Sequence, residues 1–202
     1  MQNIWIEGKK DSPVFVLLHG TGGNEQDLVP LAQKLDEDAS ILSFLGDVNE
    51  NGMARFFKRI RPGVFDEDDV KVRALVMRER LDRLAKERNF DANDIIAIGY
   101  SNGANLLAAM LYLNEAPFKR AVLLHPMVPL SDIRPKRLNG KAVLVTAGKN
   151  DPICPVDESE TLVESLKQAG AGVTLSWFRE GHAIGRAEVD AVQEWTQNIK
   201  KG

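Results

Sequence analysis

Gly99-Tyr100-Ser101-Asn102-Gly103 lies between the apolar run 95–98 and residues 104–111, a stretch of good helix formers. The run is short, β-branched and uncharged, and it reads as a buried strand. Strand, G-x-S-x-G and helix together form the setting of a nucleophile elbow. There a strained turn lifts the serine Oγ above the sheet, and the glycines keep strand and helix from colliding. Ser101 read alone is an ordinary helix N-cap. The flanking strand and helix favour the nucleophile.

A serine hydroxyl is a poor nucleophile at neutral pH and needs a base within hydrogen-bond reach. The histidines are His19, His125 and His182. His19 belongs to a His-Gly turn and is expected to shape the loop beside the nucleophile. His125 precedes Pro126; it lines the site or is a buried, satisfied histidine, and the second reading is preferred. His182 follows Gly181 in the loop after the last apolar strand, where an imidazole can swing back over the elbow. It is the expected base. A carboxylate must orient that base and stabilise its cation. Asp151 ends the preceding strand and is the expected acid, although Asp-Pro is also a common turn. Asp132 is the reserve, and Asp157 reads as a helix start. The order Ser101, Asp151, His182 is that of α/β-hydrolases.

A tetrahedral intermediate needs donors aimed at its oxyanion. The backbone N–H of Asn102 is one candidate, and the N–H of Thr21, in the Gly20-Thr21-Gly22-Gly23 loop, is the other. That loop lacks both the G-K-[ST] ending and the G-x-G-x-x-G spacing, so nucleotide readings are rejected.

These residues need a scaffold, and the rest of the chain supplies its pattern. Apolar strands are expected at 4–6, 14–18, 40–45, 95–98, 121–124, 142–146 and 173–177. Helices alternate with them: one carries Leu28, Leu31, Ala32 and Leu35, with Asn24 and Asp27 at its start, and a long charged one ends near Asn89. Another is stopped by Gly170, and a closing one presents Val189, Val192, Trp195 and Ile199. The alternation predicts an α/β fold, with a mostly parallel sheet and helices on both faces. In such sheets chemistry gathers at the carboxyl ends of the strands. Residues 46–69 read as a long loop, with Phe56 and Phe57 in a satellite apolar cluster or on a pocket wall.

The 202 residues are 44% hydrophobic and 27% charged, as expected for one soluble domain over residues 1–202. A net charge of -3 argues against nucleic-acid partners. No apolar run reaches membrane-span length, and the N-terminus lacks a signal-peptide core. Cys154 has no partner for an internal disulfide. It reads first as a small buried hydrophobe and second as a redox-sensitive thiol. Cytoplasmic localisation is the default expectation.

Residues 17–25, 99–105, Asn150-Asp151-Pro152-Ile153 and Gly181-His182 together resemble the small phospholipase/carboxylesterase family of α/β-hydrolases. Residues 51–57 and 125–129 are similar to its bacterial MhqD-like, hydroquinone-linked branch. The resemblance spans nearly the whole chain. It implies a serine esterase with the residues placed as above, no metal, no organic cofactor and no large lid domain. Only residues 124–142 lie where a lid could be inserted.

The reading is cleavage of carboxylic esters through an acyl-enzyme at Ser101. Phe56, Phe57, Met127 and Ile153 are candidate pocket walls, favouring short to medium acyl or aromatic groups. The alternatives are thioester or lysophospholipid hydrolysis by the same residues, and a catalytically silent fold that binds a small molecule. The expected partner is a small-molecule ester, with no membrane insertion and a homodimer left open.

Overall fold

The structure, a computed structural model, describes residues 1–199. In chain order the sheet strands are β1 (Asn3–Ile6), β2 (Val14–Leu18) and β3 (Ser40–Phe44). Four short strands follow, β4 (Val48–Glu50), β5 (Met53–Arg55), β6 (Arg59–Arg61) and β7 (Val64–Phe65). The later strands are β8 (Ile96–Tyr100), β9 (Arg120–Leu124), β10 (Ala142–Gly148) and β11 (Gly172–Phe178). The helices are α1 (Val29–Leu35), α2 (Glu67–Arg88), α3 (Asn102–Tyr112), α4 (Val156–Gln168) and α5 (Arg186–Ile199).

Seven strands form one sheet in the order β1-β3-β2-β8-β9-β10-β11. Only β1 runs antiparallel, pairing at the edge with β3. The central strands are apolar at nearly every position because both sheet faces are covered. Successive side chains alternate between two cores, as the two-residue period of a strand requires. Val16, Leu18, Ala97, Leu123 and Val145 face the core of α2, α3 and α4. Phe15, Leu17, Ile98, Val122 and Leu144 face the core of α1 and α5. This is an α/β-hydrolase fold. Among the described residues, 125–141 between β9 and β10 hold no helix or strand, so no large lid domain covers the site.

Local signals explain some of the boundaries. Asp66 caps α2 by accepting from the Asp69 N–H at 3.2 Å, an interaction worth about 1 kcal/mol. The helix ends at Asn89 in the left-handed conformation (φ 57°), which asparagine tolerates well. Asp157 lies in the first turn of α4. Asn24 and Asp27 do not start α1: they form a separate turn, in which Asn24 Oδ1 accepts from the Gln26 N–H, and the helix begins at Val29.

The segment 46–69 departs from the expected loop. It folds into two antiparallel hairpins, β4–β5 and β6–β7, and then enters α2. Asn51-Gly52 turns the first with both residues at positive φ (53° and 87°), which suits the right-handed twist of paired strands. Strands of two or three residues are too short to show a period.

Candidate active site

The turn between β8 and α3 carries Ser101 at φ 49° and ψ −109°, a strained conformation for a residue with a Cβ. The crossing there leaves no room for side chains on either flank. A Cβ on Gly99 would sit 2.6 Å from Ala104 N, and one on Gly103 2.2 Å from Leu18 O. The two glycines therefore hold strand and helix close enough to raise Ser101.

Three elements bring their ends to this turn. Ser101 Oγ lies 2.8 Å from Nε2 of His182, in the loop between β11 and α5. His182 Nδ1 lies 2.7 Å from Asp151 Oδ2, in the loop after β10. With Nε2 accepting from the serine hydroxyl, Nδ1 carries the proton and donates to the carboxylate. Asp151 Oδ1 accepts from the N–H groups of Ile153 (2.8 Å) and Cys154 (3.0 Å). Burial pushes the Asp151 carboxyl upward, but these donors and the two histidines outweigh it and hold it below the usual carboxylate range. An array of this kind can draw a proton from a hydroxyl while keeping the imidazole in one tautomer.

His125 is also part of the array. It is fully buried, with Nδ1 3.0 Å from the Asp151 oxygen that receives His182, and Nε2 3.2 Å from Glu188 Oε2. The expectation of a buried, satisfied histidine describes its packing; its contact with Asp151 goes further. Donor atoms of His125, Asp151 and His182 lie within 4.8 Å of one another, the spacing of a possible metal site. The hydrogen bonds to one Asp151 oxygen account for that convergence. Asp132, the reserve acid, is exposed.

His19 shapes the neighbouring loop. Its Nδ1–H donates to Gly20 O (2.6 Å), and its Nε2 accepts from the Gly46 N–H (3.0 Å). Burial holds it below the ordinary histidine range, so both contacts come from the neutral ring. The Thr21 and Asn102 backbone N–H groups have no acceptor among the described residues. Asn102 opens α3, where the helix dipole favours developing negative charge. The Thr21 hydroxyl accepts from Arg55 at 2.6 Å, an interaction that fixes the loop and leaves its N–H free.

A cleft of about 250 Å³ opens over Ser101. Thr21, Asn102, Met127 and Ile153 line it with Met53, Arg55, Arg59, Phe65, Tyr100 and Cys154. Phe56 and Phe57, expected among its walls, are not there: both are fully buried in the core shared with α2 and α3. Phe56 packs on the His19 ring (centroids 4.7 Å apart) and Phe57 on Phe65 (5.1 Å). Phe65 takes the wall position, because the hairpins turn the adjacent phenylalanines inward. Arg55 and Arg59 converge on Glu50 at 3.6 and 2.8 Å, a polar wall that no local pattern announces. Tyr100, next to Ser101, donates its hydroxyl to His182 O at 2.7 Å and steadies the loop that carries His182. Burial and nearby Asp151, Glu188 and Cys154 push the Tyr100 phenol up to about 12, so it stays a donor. No described helix is long and apolar enough to cross a membrane.

The sequence matches the dienelactone hydrolase family over residues 4–196. It is 43% identical over 195 residues to MhqD of Bacillus subtilis strain 168, a protein named as a hydrolase, covering 96% of this chain and 97% of that one. The fold superposes on a Bacillus cereus carboxylesterase with a TM-score of 0.95, at 49% identity over 98% of this chain and 94% of that chain. YahD, solved with malic acid, gives a TM-score of 0.92 at 29% identity over 98% of both chains. With its sheet, its elbow and these relatives, the chain is a hydrolase that belongs to the dienelactone hydrolase family.

Proposed function

We propose that this hydrolase cleaves carboxylic esters through an acyl-enzyme on Ser101. The observation that carries the reading is the unbroken chain from Ser101 Oγ through His182 to Asp151, at 2.8 and 2.7 Å. Ser101 attacks the ester carbonyl as His182 Nε2 takes its proton, and Asp151 holds the resulting imidazolium in place. The Thr21 and Asn102 N–H groups stabilise the oxyanion. His182 then gives the proton to the leaving alcohol. In the second half-reaction it activates the water that releases the acid.

The cleft, about 250 Å³ and open, suits short to medium acyl or aromatic groups better than a long lipid chain. Met127 and Ile153 are the proposed acyl or aryl contacts, with Met53 and Phe65 in the positions first given to Phe56 and Phe57. Thioesters share the acyl chemistry and belong in the same substrate panel.

The test is fluorophosphonate labelling with peptide mapping, alongside p-nitrophenyl esters of increasing acyl length. An adduct on Ser101 that disappears in Ser101→Ala and His182→Ala is expected. Loss of ester turnover by roughly 10⁴-fold or more should accompany it. A folded wild type that takes no label would move the reading to a silent, ligand-binding hydrolase fold.

A further inference from the structure

The acid side of the site contains more than ester cleavage by Ser101, His182 and Asp151 requires. His125 follows β9 at φ 53°, a strained backbone that aims its buried ring between two carboxylates. Asp151 Oδ2 lies 3.0 Å from its Nδ1, and Glu188 Oε2 lies 3.2 Å from its Nε2. Glu188 comes from α5 and is fully buried; its other oxygen accepts from Thr146 Oγ1 at 2.6 Å. Among the described residues its one cationic partner is His125.

A neutral imidazole has one N–H and one lone pair. Here the lone pair would face a carboxylate oxygen and repel it, whereas the imidazolium donates to both. Three further groups surround the ring. Tyr100 reaches it from the end of β8, edge-on with centroids 6.0 Å apart. His182 packs against it at 5.2 Å. The Cys154 thiol donates to its carbonyl at 3.2 Å. Burial pushes His125 down, but Glu188 and Asp151 outweigh it and hold the ring above the ordinary histidine range.

We propose that His125, held as an imidazolium between Glu188 and Asp151, is a positioning residue that fixes the Asp151 carboxylate and divides its charge, leaving His182 free to accept the Ser101 proton. The inference rests on the triad reading above. Glu188, His125 and Asp151 then carry one net negative charge at rest, and the proton arriving on His182 cancels it. Without the His125 cation, the charge of Asp151 falls undivided on His182 and holds its imidazolium more tightly, opposing the return to the neutral base.

The experiment pairs ring-¹⁵N NMR of His125 in the wild type with the double variant His125→Asn/Glu188→Gln. In that variant both charges leave together, and the asparagine amide retains a donor toward Asp151. Folding is checked by circular dichroism and thermal unfolding, and turnover of p-nitrophenyl acetate is followed from pH 5 to 9. Both His125 ring nitrogens are expected to be protonated at pH 7. The double variant should lose activity on the acid side about one pH unit earlier as pH falls, with a roughly tenfold lower kcat there and little change in KM.

A bare Nε2 on His125, with the proton on Glu188 instead, would overturn the proposal. So would a superimposable pH profile, or a change confined to KM. The NMR result stands even if the double variant fails to fold. Fluorophosphonate labelling of the wild type separates the two failures: a labelled Ser101 with an unmoved profile removes only the role of His125. An unlabelled Ser101 removes the triad reading and this inference with it.

Discussion

The backbone N–H of Phe56 donates to Asn102 Oδ1 at 2.7 Å, tying the hairpin segment to the residue that follows Ser101. Both groups are buried, so the bond has no water to replace it. Arg55 reinforces the link by donating to the Phe57 carbonyl and to the Thr21 hydroxyl. The hairpins, the glycine-rich loop and the elbow thus share one polar seam. In Asn102→Ala, the stranded Phe56 N–H should lower stability by about 1–3 kcal/mol. The proposed Asn102 N–H donor survives the substitution, so ester turnover should fall only modestly, by roughly tenfold or less. Urea unfolding and steady-state kinetics on the same preparation check both outcomes.

Phe56 and Ile153 should separate packing from substrate contact. Phe56 is fully buried, whereas Ile153 lines the cleft and is 53% exposed. Phe56→Ala is expected to remove about 3–5 kcal/mol of stability. Ile153→Ala should leave the melting temperature nearly unchanged and raise KM for aromatic and butyryl esters, with kcat affected less. A KM effect of Phe56→Ala in a protein of unchanged stability would contradict this assignment.

The pH dependence of stability follows from the direction of each shift. His125 is raised, so its contribution is complete below the unfolded histidine value, about 6.5, and is lost as pH climbs through the folded value. Tyr100 and Cys154 are also raised, chiefly by burial, and their contributions are lost further up, from about pH 8.5. Asp151 is lowered, so its contribution is present above about pH 4 and lost as pH falls through its folded value. His19 is lowered by burial, so stability also falls as pH drops below about 6.5, and denaturant unfolding from pH 3 to 10 should give a maximum near pH 6.5 that declines on both sides. The double variant at His125 and Glu188 should lose the first part of the alkaline decline and keep the later part.

Cys154 should behave as an apolar core group. The side chain is 4% exposed, donates to the His125 carbonyl, and has its thiol pushed well up by burial and the nearby carboxylates of Asp151 and Glu158. At pH 8 the native protein is expected to react with a disulfide reagent at least about 100-fold more slowly than the urea-unfolded chain. Reaction at comparable rates would show that the loop after β10 opens readily.

Much of the fold is legible in local patterns, and the reason is geometric. A strand buried on both faces must be apolar throughout, so β2, β8, β9 and β10 are readable as runs of four or five residues. Gly99 and Gly103 mark where β8 and α3 pass too closely for a Cβ, and Ser101 stands between them. Asp151 and His182 are readable because loops after parallel strands collect at one end of the sheet. Phe56 and Phe57 show the limit. Their apolar character is evident, but whether they face a pocket or a core depends on two hairpins too short to leave a period.

The chain's local chemistry determines the succession of the seven sheet strands and the helices between them, the elbow around Ser101 and the family to which the protein belongs. It does not determine which distant polar groups meet. His125 and Glu188 are 63 residues apart, and nothing around either residue names the other. They face each other because α5 packs against β10, where Glu188 meets Thr146, and β10 pairs with β9, whose end leads into His125; a buried carboxylate requires a donor wherever the packing leaves it.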